Sequence, residues 1–286
     1  MRFIDKSIGN EEGRTITRNY VQKECSVNDG NVTRYQNVSY EGFCSRGYRN
    51  DMIDVLKKAQ GNFCCYCMRD LSQNSGEITL EHIIPQKADS EDVEQYRALG
   101  IPSFDKKVLL LDTEFVKEEK QEMPPYPHTV AFDNFFNSCA GTFPDKEGSS
   151  QCCNNRRGND FCLPLPLYSD AENMVEYSDN GNVAPSSQHQ LASQIAVSIA
   201  AYHLNCNDLK HVRRLWFLFR NKDYNMLVDG IHDSNLRFQL LQEVLYKDSK
   251  TMEIDCILFR KFQRESYWKT FLSYHWFQQK FRQIYP

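Results

Sequence analysis

Phe63-Cys64-Cys65-Tyr66-Cys67, followed beyond a polar turn by Glu77-Ile78-Thr79-Leu80-Glu81-His82-Ile83-Ile84-Pro85, decides how this chain is read. A C-x-x-C puts two thiolates on one tight turn, where they can share an ion, and a tetrahedral zinc site needs a second pair from elsewhere. Cys139 with Cys152-Cys153 supplies that pair; spacing leaves open Cys152 or Cys153, and Cys64 or Cys65. Gln73-Asn74-Ser75-Gly76 reads as a hairpin turn into a β-branched run, 77–84, stopped by Pro85. The two cysteine clusters therefore flank a strand that carries a carboxylate and a histidine side by side.

The chain has 286 residues and 11 cysteines, at 25, 44, 64, 65, 67, 139, 152, 153, 162, 206 and 256. The first residues lack the apolar stretch of a secretory signal, and no later run approaches 18 uninterrupted apolar residues. A reducing cytoplasm is the expectation, and there clustered cysteines bind metal more often than they form disulfides. A C-x-x-C can also be a redox pair. The second cluster, and the lack of a thioredoxin-like βαβ pattern around the first, favour structural Zn²⁺. Cys25, Cys44, Cys162, Cys206 and Cys256 read as buried thiols, which pack as small apolar groups.

A hydrophobic share of 41% with 25% charged residues excludes wholesale disorder, and the length suits one large domain or two modest ones. The net charge of −4 excludes a global basic field, so nucleic-acid binding would need a local patch. Residues 1–48 read as a polar, irregular segment. Asn50 to Gln60 reads as a helix ended by Gly61, opening a core that runs from 49 to 160. That core contains an acidic insert, 86–128, with one helix from Ser90 to Leu99. Residues 161–286 begin with loops and a hairpin around Asp179-Asn180-Gly181-Asn182. Helical patterning follows. Leu191, Ile195, Ile199 and Tyr202 make one stripe, and Asn207 caps a helix with Leu209, Val212, Leu215, Trp216 and Phe219 inward. Ser234 caps a third helix, and Thr251 to Tyr285 is a long aromatic segment.

Glu81-His82 on the strand, Asn134 shortly before Cys139, and Asn154 directly after Cys153 form an ordered set interleaved with the cysteines. This set resembles the HNH endonuclease family. The resemblance implies an α+β fold: a ββα-metal core braced by a four-cysteine zinc site, then a mainly helical C-terminal region. It implies that His82 is the general base and that Glu81 and Asn154 ligate a catalytic Mg²⁺ or Mn²⁺. It further implies that Asn134 hydrogen-bonds His82, that Cys64, Cys67, Cys139 and Cys153 hold the zinc, and that Arg156 and Arg157 clamp the substrate phosphate. A neutral imidazole suits base work near pH 7, and hard oxygen donors suit Mg²⁺. The flanks extend the likeness. Met1-Arg2-Phe3-Ile4, the stretch 124–134, Arg157-Gly158-Asn159, and Leu204 to Asn207 with Leu209 and Arg213-Arg214 look like the PtuB nucleases of Septu and retron-linked anti-phage systems. These bacterial nucleases imply a nucleic-acid substrate, DNA before RNA, and an ABC or SMC-like ATPase partner of the PtuA type in a hetero-oligomer. The chain carries no G-x-x-x-x-G-K-[ST] loop of its own. A non-catalytic zinc-stabilised binding module and a thiol-based sensor are the rival readings.

Residues 203–286 hold 14 Lys and Arg against 9 Asp and Glu, and 16 of the 36 aromatics, so this end is at +5 and the remainder at −9. Interleaved basic and aromatic residues suit a stacking surface for nucleic acid or a docking face. Helical spacing favours a core with its aromatics inward.

Overall fold

The computed structural model describes residues 1–24, 26–28, 32–34, 38–72, 78–100, 108–109, 116–118, 126–143, 151–221 and 271–280, with single positions between 231 and 243. The fold is mixed α and β. In chain order it comprises α1 (Asn10–Glu24), β1 (Ser26–Asn28), β2 (Val32–Arg34), α2 (Tyr40–Ser45), α3 (Tyr48–Gln60), β3 (Ile78–His82) and α4 (Ser90–Ala98). Then come β4 (Val108–Leu109), β5 (Val116–Glu118), β6 (Tyr126–Pro127), a 3₁₀ turn (Phe132–Asn134), β7 (Phe135–Cys139) and α5 (Asn154–Arg157). The hairpin β8 (Val175–Tyr177) and β9 (Val183–Pro185) precedes α6 (Ala192–Ala201), α7 (Asn207–Phe219) and α8 (His275–Lys280). No helix among the described residues is long and apolar enough to cross a membrane.

The centre is the antiparallel pair β3–β7, in register Ile78↔Cys139, Glu81↔Phe136 and His82↔Phe135. All five residues of β7 are buried, as are four of β3, because helices and loops cover both faces. Side-chain amides fasten α3 to β7. Gln60 Nε2 donates to Asn137 O at 2.8 Å and Gln60 Oε1 accepts from Asn137 N at 2.7 Å, while Asn137 Nδ2 donates to Ile53 O. Gly61, at φ +62°, ends α3 in the left-handed conformation and turns the chain into the cysteine knuckle. The helices expected at 50–60, 90–99 and 207–219 are present within two residues of those bounds, although Cys206, not Asn207, stands at the cap of α7.

The N-terminal segment differs from the sequence reading. Residues 1–48 are not irregular: α1 spans 15 residues, with Glu11 and Glu12 in its first turn and Lys23 in its last. Its buried face is Gly13, Thr17, Tyr20 and Val21, mostly small or polar, so hydrophobic periodicity does not reveal it. The polar members are satisfied inside. Thr17 Oγ1 donates to Val130 O at 3.0 Å, and Tyr20 Oη donates to Ser39 O at 2.7 Å. Lys6 is also buried, and its Nζ donates to Phe132 O at 2.9 Å and to Phe135 O. Residues 1–24 thus brace the 3₁₀ turn from behind.

The described part of the C-terminal segment follows the core reading: Phe271, Leu272, Tyr274 and Phe277 are buried. Asp70 N donates to Ser273 O and His275 N to Met68 O, which pairs the segment with the knuckle. The turn at 73–76, Ser234, Cys25, Cys256 and most of 251–285 lie outside the described residues. Of the helix expected after Ser234, positions 236, 239, 240 and 243 are described and helical, with Leu236 exposed and not inward.

Gly13 touches Phe132 so closely that a Cβ would stand 2.1 Å from Cδ2 of that ring. Helix propensity alone makes Gly→Ala a gain of about 1 kcal/mol. Overpacking against a fixed ring costs about 1–3 kcal/mol, so Gly13→Ala should lower stability by urea denaturation. An increase would show that the α1–Phe132 contact is loose.

Candidate metal centre and cleft

Cys64, Cys67, Cys139 and Cys153 bring their Sγ atoms within 4.8 Å of one another, all buried. Cys64 and Cys153 are 3.9 Å apart, and Cys67 and Cys139 3.6 Å. Zn–S bonds of about 2.3 Å in a tetrahedron give sulfur–sulfur edges of about 3.8 Å, so the cluster could hold a metal such as zinc. Of the alternatives that spacing leaves open, Cys64 and Cys153 belong to this group of four, while Cys65 and Cys152 do not, although Cys152 Sγ lies 3.6 Å from Cys153 Sγ. The knuckle closes through Cys64 N to Arg69 O at 2.8 Å and Met68 N to Cys64 O, with Met68 at φ +65°. Gly141 makes room for the second cluster, since a Cβ there would lie 1.9 Å from Cys152 O. Hydrogen bonds from Cys152 and Cys153 hold the Cys139 thiol down at about 5. Hydrogen bonding to Cys139 raises Cys67 and Cys153. Burial raises the Cys64 thiol, but hydrogen bonds with Cys139 and Cys153 push it well below its ordinary value too, so Cys64 and Cys139 are the two sulfurs of the four that lean toward thiolate.

Glu81 and His82 end β3, and Asn154 begins α5 directly after Cys153 of the four-cysteine group. All three line one open cleft, with Tyr40, Arg49 and Lys87. Glu81 is 1% exposed, and its hydrogen bonds among the described residues fall on Oε1: from Arg157 Nη1 at 2.6 Å and from Tyr66 Oη at 3.3 Å. Burial raises the Glu81 carboxyl above its ordinary range and outweighs the attraction of Arg157. Asn154 spends its Nδ2 on Leu80 O at 3.4 Å, and its amide oxygen has no hydrogen bond among the described residues.

His82 is 8% exposed, with Tyr40 and Phe135 edge-on at 4.6 and 4.7 Å. Its Nε2 lies 3.0 Å from Thr129 O. A carbonyl only accepts, so the neutral ring carries its proton on Nε2 and presents a lone pair at Nδ1, beside Gln86 Nε2. Burial pushes the imidazolium down to about 3, so the ring is neutral at pH 7.

Two sequence expectations are corrected. Asn134 does not hold the His82 ring. Its Oδ1 accepts from Ile84 N at 2.7 Å, and its Nδ2 donates to Ile84 O and to His128 O. It binds the backbone on either side of the ring, and Thr129 O takes the orienting role. Arg157 is not a phosphate clamp. It is 2% exposed, and its guanidinium donates to Glu81, His82 O, Ile83 O, Tyr96 Oη and Asp160 O. Those partners use up a planar fork that was expected to face substrate. Arg156 is exposed but does not line the cleft.

The sequence reading also missed Tyr96. It lies on α4 in the acidic insert, yet its ring is fully buried, and its hydroxyl takes bonds from Arg157 at 2.7 Å and Cys162 N at 3.2 Å. Part of the insert is therefore built into the site. An aromatic three residues from Val93 on an otherwise polar helix was the available signal.

No protein-family model matches the chain, and no curated protein sequence matches it. Its chemistry rests on the geometry above.

Serine at Cys64, Cys67, Cys139 or Cys153 should abolish tight metal binding, whereas Cys65→Ser and Cys152→Ser should retain one metal per chain. Elemental analysis of the purified variants checks this, and loss in either of the last two would move the ligand set. Arg157→Met strands a buried carboxylate and should cost about 3–5 kcal/mol. Arg157→Lys should recover less than half of that loss, since an ammonium cannot reach five acceptors at once. Denaturant titration of both variants decides whether the fork or the charge matters.

Proposed function

We propose that the chain is a metal-dependent endonuclease of the HNH type, hydrolysing phosphodiester bonds of nucleic acid and stabilised by a structural zinc. The observation that carries this reading is the meeting of Glu81, His82 and Asn154 in one cleft. They come from a β3–β7–α5 unit whose ends converge on the four cysteines. An antiparallel strand pair followed by the short helix Asn154–Arg157 supports a ββα-metal reading.

The chain's own groups divide the work. His82 Nδ1 accepts the proton of the attacking water, and Thr129 O, fixed on Nε2–H, stabilises the imidazolium that results. Glu81 Oε2 and Asn154 Oδ1, neither of which takes a hydrogen bond among the described residues, would hold a Mg²⁺ or Mn²⁺ ion as hard oxygen donors. Such an ion supplies charge stabilisation at the phosphate and the leaving oxygen. Arg157 opposes the effect of burial on Glu81 by favouring its ionised form, and fixes the carbonyls of His82 and Ile83. Asn134 closes the loop that turns away from the base. The likeness of the flanks to nucleases of anti-phage systems supports a defence role in a bacterial cytoplasm, with an ATPase partner governing when the enzyme cuts.

One observation favours a second reading. The Glu81–Arg157 ion pair spends half of the carboxylate, which suits a non-catalytic zinc-stabilised binding module as well. One experiment separates the two. His82→Ala should melt within a few degrees of the parent and keep its zinc. Its cleavage of nucleic acid should fall by about 10²–10⁴-fold, because a general base contributes on that order. Cleavage equal to the parent's, or none by the parent with either Mg²⁺ or Mn²⁺, would sink the nuclease reading.

A further inference from the structure

With Arg157 buried in the fold, the cleft needs another source of positive charge to hold a phosphodiester. Two cations line it, Arg49 and Lys87, and neither forms an ion pair among the described residues. Arg49 stands in the first turn of α3, and its Nη2 donates to Ile78 O at 2.6 Å. Ile78 opens the strand that ends in Glu81 and His82, so the guanidinium is anchored to the same backbone as the reacting groups. One donor of the fork is spent on that carbonyl and another meets the Tyr40 hydroxyl, itself part of the cleft lining, so the guanidinium is held at the cleft wall. Lys87 reaches the cleft from the turn after Pro85, where Ala88 N donates to Pro85 O. It is exposed and behaves as a mobile point charge. The two come from opposite sides of the sequence, one before the cysteine knuckle and one after the strand.

The lining says as much by what it offers for bases. Tyr40 is the aromatic residue that lines the cleft beside His82, and its half-buried ring already packs on His82 at 4.6 Å and Phe135 at 6.1 Å. A stacked base needs an open ring face. The volume of about 420 Å³ suits a sugar–phosphate segment more than a stack of bases. We propose that Arg49 and Lys87 are the phosphate contacts of this cleft, and that the chain grips its substrate by the sugar–phosphate backbone without reading base sequence. The substrate class rests on the nuclease reading; the assignment of the two contacts does not require that cutting occurs.

The test uses full-length chain in a His82→Ala background with Mg²⁺. The probes are a fluorescein-labelled 20-nucleotide DNA strand, its duplex, and the RNA of the same sequence, read by anisotropy between 50 and 200 mM KCl. Arg49→Gln with Lys87→Gln should raise Kd by about tenfold or more. It should also flatten the slope of log K against log salt by about 0.7 to 0.9 for each lost contact. Changing the base sequence at constant length should move Kd by less than a factor of about three. Lys58→Gln removes the same charge from the same helix at an exposed position outside the cleft, and should leave both quantities unchanged. If Arg49→Gln lowers the melting temperature, Lys87→Gln alone and Arg49→Lys carry the test. Arg49→Lys keeps the charge and the salt slope but loses the fork, so its Kd should fall between the other two.

A double variant that melts like its parent and binds every probe with the parent's affinity and slope overturns the proposal. So does a parent that binds none of the probes. Binding weakened as expected in a chain whose wild type never cuts would uphold these contacts and remove the nuclease reading. Arg49→Gln with Lys87→Gln made in the chain that keeps His82, if it cuts at the wild-type rate with KM unchanged, would remove the contacts and leave the nuclease reading intact.

Discussion

The convergence of four thiolates is the constraint on which the remaining geometry depends. Cys64 and Cys153 are 89 residues apart in sequence, and Cys67 and Cys139 are 72 apart. One ion at their centre would close both long loops and fix the knuckle, the end of β7 and the start of α5 in a single step. Closing such loops is entropically costly, and metal coordination offsets that cost directly as folding free energy. Because Asn154 follows Cys153 and Ser138 precedes Cys139, the cluster also sets where the cleft residues begin. Asn154 N hydrogen-bonds Ser138 Oγ at 3.4 Å, which ties the helix start to the strand end just beside the sulfurs. The C-terminal segment seals the other side through Asp70, Met68 and Phe63.

From that anchor the site is assembled by buried polar contacts rather than by apolar packing alone. Arg157 makes five hydrogen-bonding contacts inside the fold, an arrangement that only a guanidinium can satisfy. It compensates the charge of Glu81 and pins the strand where it bends away after His82. Leaving Glu81 in so dry a setting without a cation would be far more costly than the pair itself is stabilising. Asn134 and Thr129 perform the same service for the loop around the imidazole. The result is a neutral histidine fixed in one tautomer, a carboxylate with one free oxygen and an amide oxygen at a helix start. These three groups line one common cleft.

Much of this was legible in the sequence, for identifiable reasons. The C-x-x-C and the second cluster imply a shared ion because thiolate spacing maps onto a turn. The strand 78–82 showed through its β-branched residues, α3 through its apolar face and Gly61, and the hairpin β8–β9 through Asn180-Gly181. What was hidden depended on tertiary partners. The inward face of α1 is Gly13, Thr17 and Tyr20, whose burial is explained by Phe132, Val130 and Ser39 rather than by hydrophobicity. Arg157 looked like a surface cation because nothing local announces that Glu81 and Tyr96, 76 and 61 residues away, turn towards it. Arg49 was invisible for the converse reason: nothing near it in sequence marks the carbonyl of Ile78 as its anchor. The choice between Cys152 and Cys153 also needed coordinates, since adjacent residues differ by direction and not by spacing.

The central claim is that four sulfurs, and no other atoms, hold one ion at the root of the cleft. Zinc K-edge X-ray absorption on the full chain, purified under reducing conditions, tests it directly. The account predicts a single shell of four sulfur atoms at about 2.3 Å with no nitrogen or oxygen ligand. A mixed shell, fewer than four sulfurs, or a folded chain that carries no metal would contradict it.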